Sequence, residues 1–239
     1  MKTLKMSFLA MIMMIAGTIT VKAQTADEVI DKYAQAIGGK DNLKKINTMK
    51  VEGTMNAQGS EIGIAMTAVH KKAMRQDISL MGMTGYTIVT DKEGWTFMPF
   101  AGHTKPEAFT PDQVKEMQSQ LDLQHAELLD YKSEGGKLDY IGKDDVEGTQ
   151  CHKLKLTAKT GAEKTMYFDA SNYYLIRETE KVNIDGKEQE SVTNLSNYQK
   201  QSNGIVFPMS MEAMGGAMTF TKVEFNKTYD DSVFKPSTN

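Results

Sequence analysis

Alternation of apolar and polar residues with a period of two runs through most of this 239-residue chain. Successive side chains of a β-strand point to opposite faces, so each alternating segment should form a strand with one apolar and one polar face. In the segment 49–57, the apolar face would carry Met49, Val51, Met55 and Ala57. The pattern predicts strands at 49–57, 62–68, 74–80, 84–90, 94–98, 137–142, 149–157, 163–169, 173–184, 188–198, 205–211 and 217–226.

Short runs of turn-forming residues separate these segments, among them Thr160-Gly161 and Asn203-Gly204. Short connections join neighbouring strands as hairpins, which predicts an antiparallel sheet. A dozen strands spaced about 4.8 Å apart would make a flat sheet more than about 50 Å wide. Two helices, each about 10 Å across, cannot cover so wide an apolar face. The sheet should therefore curl around an apolar hollow that the helices cap.

Two main helices are predicted from their capping residues. Thr25 and Glu28 form a capping box ahead of an apolar stripe, and Gly38-Gly39 ends this first helix. A short turn over 41–46 should follow. The second helix should begin at Thr110, with Pro111 in its first turn, and run to about residue 131.

The amino terminus has the three parts of a removable export signal. Lys2 and Lys5 precede an apolar run over 6–19, and Val21-Lys22-Ala23 supplies small residues for cleavage after Ala23. The apolar run is shorter than the roughly 20 residues that a membrane-spanning helix needs. We therefore expect residues 1–23 to be a signal peptide, residues 24–239 to be a single domain, and the protein to be periplasmic.

The charge of the predicted mature chain argues against a nucleic-acid partner, and its cysteine content excludes an internal disulfide. Residues 24–239 carry 25 basic and 31 acidic side chains, and this acidic balance argues against a nucleic-acid partner. Cys151 is the single cysteine, so the chain cannot form an internal disulfide.

Sequence motifs for catalysis are absent: there is no zinc-protease helix, nucleophile elbow, phosphate-binding glycine loop or Cys-x-x-Cys pair. Cys151 and His152 are adjacent, but neighbours in a strand face opposite sides and cannot act together. His70, His103 and His125 lack metal-ligand spacing. We therefore predict no enzymatic activity, no cofactor and no metal site of the His, Cys or carboxylate kind.

Methionine is unusually frequent, with thirteen outside the predicted signal peptide. Thioethers are soft ligands for Cu(I), so Met81/Met83, Met209/Met211 and Met214/Met218 leave a periplasmic copper-binding protein as an alternative. Methionine also fills irregular apolar space and suits surfaces that accept varied ligands. The in-phase alternation of Met209 and Met211 favours this second role.

Several segments resemble a known family. The run Val69-His70-Lys71-Lys72, then Ile88-Val89-Thr90-Asp91 and Trp95-Thr96-Phe97-Met98-Pro99-Phe100, is similar to the amino-terminal half of LolA-type periplasmic lipoprotein carriers. The whole mature chain resembles the LolA-like outer-membrane lipoprotein-sorting proteins of Bacteroidetes. The segments that carry this second resemblance are Ala36-Ile37-Gly38-Gly39 with Leu43 and Ile46, Asp145-Val146-Glu147-Gly148-Thr149, and Gly204-Ile205-Val206-Phe207-Pro208.

The resemblance implies an α+β fold that is mainly antiparallel β. It would be an unclosed half-barrel of about 11–12 strands, with helices covering the concave apolar face. The implied function is to shield the acyl chains of lipids or lipoproteins in the periplasm, with inner- and outer-membrane sorting proteins as partners. Lys72 stands where the family has an arginine that tethers the helical lid, and Arg75 is a substitute for that role.

Seven inward-facing residues are predicted to bind the ligand, namely Met55, Ile64, Met66, Ile78, Leu80, Trp95 and Phe97. Two further alternatives remain besides copper binding. One is a ligand sensor on the same fold, and the other is a hydrolase whose site forms from distant residues.

Overall fold

The computed structural model describes residues 24–57, 59–184, 187–213 and 216–238. The predicted signal peptide and its cleavage site after Ala23 lie outside these residues. Among the residues described, no helix combines the length and the apolar character needed to cross a membrane.

The described residues form four short helices, and the first begins as predicted. Helix α1 (Ala26–Ala36) is capped by Thr25 and Glu28, and it buries one apolar side. It ends before Gly38, which has a φ of +118° and lies against the backbone of Gly204. Any side chain at position 38 would meet that backbone, so glycine is required there. Helix α2 (Lys40–Leu43) follows at once.

The predicted second helix is broken. Helix α3 (Pro111–Met117) passes into a 3₁₀ turn (Gln118–Leu121), and helix α4 (Ala126–Leu129) begins separately. The break has a tertiary cause, because the amide of Lys71 donates a hydrogen bond of 2.8 Å to the carbonyl of Leu121. The helix periodicity continues through this region of the sequence, but the carbonyl of Leu121 and the amide of Leu123 bond to a turn at residues 70–72 instead of extending the helix.

Thirteen strands form one antiparallel sheet. They are β1 (Thr48–Ala57), β2 (Ser60–Val69), β3 (Ala73–Leu80), β4 (Met83–Thr90), β5 (Gly94–Phe97), β6 (Glu107–Ala108), β7 (Lys137–Val146), β8 (Thr149–Thr157), β9 (Glu163–Asp169), β10 (Leu175–Ile184), β11 (Lys187–Lys200), β12 (Val206–Ala213) and β13 (Gly216–Phe225). Twelve of them correspond to predicted strands. The two-residue strand β6 is too short to show an alternating pattern.

The sheet is an open half-barrel, which confirms the predicted fold class. Its strand order is β6-β5-β4-β3-β2-β1-β13-β12-β11-β10-β9-β8-β7, so β6 and β7 are the two edges. In the part of the chain that the structure describes, no strand pairing joins these two edges. Residues 109–136 connect them and carry α3 and α4; we call this connection the cover segment.

The two faces of the sheet bury different clusters. The inner face packs against α1, α2 and the cover segment, and it forms the larger core. The outer face of β3, β4 and β5 carries a smaller cluster that includes Tyr86 and Ile88. This outer cluster is covered by the carboxyl-terminal 3₁₀ turn (Asp231–Phe234), whose Phe234 is buried in it.

Candidate ligand-binding cavity

A cavity of about 440 Å³ lies between the inner face of the sheet, helices α1 and α2, and the cover segment. Tyr33 and Ile37 from the first helical region border it on one side. Leu123 and Leu128 from the cover segment border it on another. The apolar hollow that was predicted from the width of the sheet and the number of helices is therefore present.

Most of the cavity wall is apolar and comes from the strands in the middle of the sheet. The apolar residues on β1, β2, β11, β12 and β13 are Met49, Val51, Ile64, Met66, Leu195, Val206, Phe207, Pro208, Met211, Met218, Phe220 and Phe225. Except for Val51, they are only partly buried. They keep accessible surface because the space in front of them is empty of protein.

A β-bulge bends the sheet beside this wall. The register between β1 and β13 shifts between Glu52 and Gly53. A side chain at Gly53 would overlap the carbonyl oxygen of Thr219, so the close approach of the two strands requires glycine. A bulge increases local twist and bend, which helps this part of the sheet to curve around the cavity.

One side of the cavity is polar, and we call it the polar flank. It is built by two regions that are far apart in sequence, the cover segment and strands β9–β10. Its members are Ser119, Gln120, Asp122, His125, Glu127, Lys164 and Glu178.

Lys164 is held by carboxylates on the neighbouring strand. Its Nζ lies 3.4 Å from Glu178 and 3.6 Å from Glu180. Burial alone would lower the pKa of Lys164, but the carboxylates of Glu178, Glu180 and Glu127 outweigh it, so the pKa is raised. Lys164 is therefore a paired ammonium group at the edge of an apolar space.

Two of the seven predicted ligand-binding residues, Ile64 and Met66, line the cavity. Ile78 pairs with Ile64 across β2 and β3, so it shares the inner face but lies outside the cavity lining. Met55 pairs with Met218 across β1 and β13, so it also shares the inner face but lies outside the cavity lining.

The other three predicted residues lie away from the cavity lining. Leu80, at the end of β3, is on the inner face beyond the lining. Trp95 and Phe97 pair with Ile88 and Tyr86, so they belong to the outer-face cluster. Alternation shows that two residues share a face, but it does not show which face is inner, and for β5 the outer face is the more apolar one.

The predicted tether residues also act on the outer face. Lys72 Nζ lies 2.7 Å from Asp231, and Arg75 donates a hydrogen bond of 3.2 Å to the carbonyl of Val233. The Arg75 guanidinium also stacks 4.4 Å from the ring centre of Tyr86. Both side chains therefore contact the carboxyl-terminal turn, and among the described residues neither forms a side-chain hydrogen bond or ion pair with the cover segment.

Other groups anchor the cover segment. The imidazole Nδ1 of His70 accepts a hydrogen bond of 3.2 Å from the amide of Leu123. The side chain of Gln118 donates to the carbonyl of Asp91 at 3.0 Å. The hydroxyl of Tyr131 donates to Asp27 at 2.8 Å and links the segment to α1.

Sequence reasoning missed the polar flank, although β9 contains a signal for one of its seven members, Lys164. Lys164 has the same alternation phase as Met166 and Phe168, which are buried on the inner face. A charged residue in an apolar phase needs a partner, and this mismatch could have identified Lys164. The cover-segment members carry no such signal, because only the break in the helix turns them inward.

The residues considered for metal or thiol chemistry are dispersed. Met211 and Met218 pair across β12 and β13 and line the cavity, whereas Met209 is buried beside Gln201. Met81 is exposed in the turn before β4, and Met214 lies outside the described residues. Within the described ranges, no three His, Cys, Asp or Glu side chains form a group that could hold a metal ion.

Cys151 and His152 have structural surroundings. Burial raises the pKa of the Cys151 thiol to about 11, which leaves it protonated at neutral pH. The ring of His152 lies 3.2 Å from the hydroxyl of Tyr140 and stacks on Tyr173. His152 is therefore a buried, hydrogen-bonded residue of the core.

Comparison with known proteins identifies the fold. No protein-family model and no curated protein sequence matches the chain. Three solved structures share its architecture at low sequence identity. A DUF1329 family protein from Desulfovibrio piger is 12% identical, with a TM-score of 0.57 over 88% of this chain and 97% of that one.

The other two structures are a LolA superfamily protein and a lipoprotein-sorting domain. The LolA superfamily protein from Nitrosomonas europaea is 11% identical, with a TM-score of 0.55 over 89% of this chain and 98% of that one. The putative outer membrane lipoprotein-sorting protein domain from Vibrio parahaemolyticus is 9% identical, with a TM-score of 0.53 over 87% and 95%. The predicted resemblance is thus confirmed at the level of architecture: this chain has the fold of LolA superfamily proteins.

Proposed function

We propose that this protein is a non-enzymatic periplasmic carrier that binds the acyl chain of a lipid or lipoprotein in the inner cavity. The observation that carries the proposal is the apolar wall of β1, β2 and β11–β13, which keeps accessible surface around an interior space of about 440 Å³. Natural ligand sites have volumes of roughly 300–1,000 Å³ and mostly apolar linings, and this cavity matches both properties.

The chemistry of the wall suits acyl chains of different lengths. Each methylene group of an acyl chain loses about 0.8 kcal/mol of burial free energy when it is left in water. Met49, Met66, Met211 and Met218 place flexible thioether side chains on the wall. Such side chains adjust to varied ligands without large strain.

Two further features support the carrier interpretation. The fold is that of a LolA superfamily protein and of a putative outer membrane lipoprotein-sorting domain. The sequence of residues 1–23 has the features of an export signal, which would bring the protein to the periplasm. The proposed partners are membrane proteins that deliver the lipidated cargo to the carrier and accept it from the carrier.

Displacement of a neutral fluorescent probe, N-phenyl-1-naphthylamine, by primary alcohols of increasing chain length tests this function. We expect affinity to rise about four-fold per methylene, because about 0.8 kcal/mol of burial is gained for each. The rise should stop when the chain fills the cavity. No displacement at any chain length would overturn the proposal.

A pair of matched variants locates the binding. Ile64→Trp fills part of the cavity and should weaken binding of the longest alcohols about fifteen-fold, the loss expected for about two excluded methylenes. Ile141→Trp is the control, because Ile141 is 53% exposed and lies outside the cavity lining. Equal effects of the two substitutions would place the binding elsewhere.

A further inference from the structure

The charges of the polar flank do not balance. Among the described residues that line the cavity, Asp122, Glu127 and Glu178 are carboxylates, and Lys164 is the one ammonium group. Glu180 lies just beyond the lining and adds another carboxylate beside the same lysine. The polar side of the cavity therefore carries excess negative charge next to an apolar wall.

Lys164 is not free to receive an anionic ligand. Its ammonium group lies within 3.6 Å of Glu178 and Glu180, and its side chain is only 27% exposed. An incoming carboxylate or phosphate would have to displace these partners and approach the other carboxylates. Like charges at short distance in a partly buried site repel strongly.

His125 adds a polar side chain that faces the cavity. It lines the cavity and is an exposed residue, so a ligand in the cavity can reach its ring. Its backbone is left-handed, with a φ of 54°, a strained conformation that turns it away from the path of a continuous helix. Desolvation by the surrounding protein lowers its pKa, and the carboxylate of Asp122 opposes this effect. A neutral imidazole offers one acceptor nitrogen, which an N–H or O–H of a ligand could approach.

We infer that the cavity selects amphiphiles whose head group is an ammonium or another hydrogen-bond donor, and that it rejects anionic head groups. The acyl chain would lie along the apolar wall, and the head group would meet Glu127, Glu178 and His125. This inference rests on the proposed carrier function, and it names the ligand class that the same cavity accepts.

Three probes with the same twelve-carbon chain test the selectivity, namely dodecylamine, 1-dodecanol and dodecanoate. Each is titrated against bound N-phenyl-1-naphthylamine at pH 7, below the concentration at which it forms micelles. We expect dodecylamine to bind about ten-fold more tightly than dodecanoate, with the alcohol between them. The salt dependence should be opposite in sign for the two ions.

Charge-neutral variants assign the effect to the polar flank. Glu127→Gln with Glu178→Gln should reduce the preference for dodecylamine to about two-fold or less. Glu61→Gln with Glu116→Gln changes the total charge equally, but both residues are exposed outside the cavity lining, and the preference should remain. Lys164→Gln should have the opposite effect and increase the preference. Thermal unfolding of each variant verifies that it is folded.

The outcomes separate the two proposals. Equal or tighter binding of dodecanoate overturns the head-group inference and leaves the carrier function standing. A preference lost equally in the control pair also overturns it, because overall charge would then be the cause. Failure of all three probes to bind overturns the carrier function itself.

Discussion

The two halves of the inner face have the same alternating pattern but different surroundings. On β7–β9, Leu138, Leu154 and Phe168 are at most 8% exposed, because α1 and the cover segment pack against them. On β1, β2, β12 and β13, equally apolar residues such as Ile64 and Phe220 are only partly buried and border the cavity. We call these regions the covered half and the open half.

The difference shows how one pattern supports two roles. Helix α1 is 11 residues long, and its Tyr33 packs edge-on against Phe168 at a centroid distance of 5.1 Å. A helix of this length covers only a few strands of a thirteen-stranded sheet. The covered half therefore supplies stability, and the open half keeps apolar surface for a ligand.

The largest expected effect comes from the same substitution in each half. Phe168→Ala should lower the free energy of unfolding by about 4 kcal/mol, because it removes a fully buried ring and leaves a void. Phe220→Ala should cost about 1 kcal/mol, because its ring already borders empty space. Urea denaturation of both variants measures the two costs.

Ligand binding should show the reverse order. Phe220→Ala alters the cavity wall and should change the affinity for long-chain alcohols. Phe168→Ala should leave this affinity nearly unchanged under conditions in which the variant is folded. Equal losses of stability for the two substitutions would mean that the open half is collapsed in solution, which would break the comparison.

A smaller effect is expected from pH. His152 lies in the covered half and His125 at the cavity, and desolvation lowers the pKa of both below the usual value of 6.5. The unfolded chain therefore binds protons at a higher pH than the folded chain. Their contribution to stability is complete above pH of about 6.5 and is lost as the pH falls below it, by at most about 1.4 kcal/mol per pH unit for the buried His152 and by less for the exposed His125.

Substitution of each histidine sharpens the comparison. His152→Gln should remove more of the pH dependence between pH 7.5 and 5 than His125→Gln, because His152 is 2% exposed whereas His125 borders a space that water can enter. Urea denaturation at several pH values measures both slopes. If His125→Gln had the larger effect, the cavity would be dry in the free protein.

The smallest effect is expected on the outer face. Lys72→Ala removes an ion pair whose side chains are 54% and 71% exposed, so the free energy of unfolding should fall by less than about 0.5 kcal/mol. Alcohol binding should be unchanged, because the pair holds the carboxyl-terminal turn and not the cover segment. Asp231→Ala is the matched control, and a change in affinity above two-fold in Lys72→Ala alone would restore its role as a lid tether.

Local pattern predicted much of the fold. Strand β9 occupies residues 163–169 as predicted, and α1 has the predicted capping box, because both depend on residues close in sequence. The predicted second helix is wrong beyond Met117, where the chain tightens into a 3₁₀ turn. At the end of this turn, Leu121 accepts a hydrogen bond from Lys71, which is remote in sequence. All four of Ile64, Met66, Trp95 and Phe97 were predicted to bind the ligand. Ile64 and Met66 line the cavity, whereas Trp95 and Phe97 lie on the outer face. Alternation alone does not show which face of the sheet is the inner one.

The sequence by itself determined the antiparallel strands, the cap of α1 and the need for the sheet to curl around an apolar space. These properties follow from side-chain periodicity and turn chemistry, which act over a few residues. Only the tertiary structure decided which half of the inner face is covered and which half is open. It also brought Glu127 on the cover segment to Lys164 and Glu178 on the sheet. The physical reason is that burial and charge pairing depend on contacts between segments remote in sequence, which no local pattern encodes.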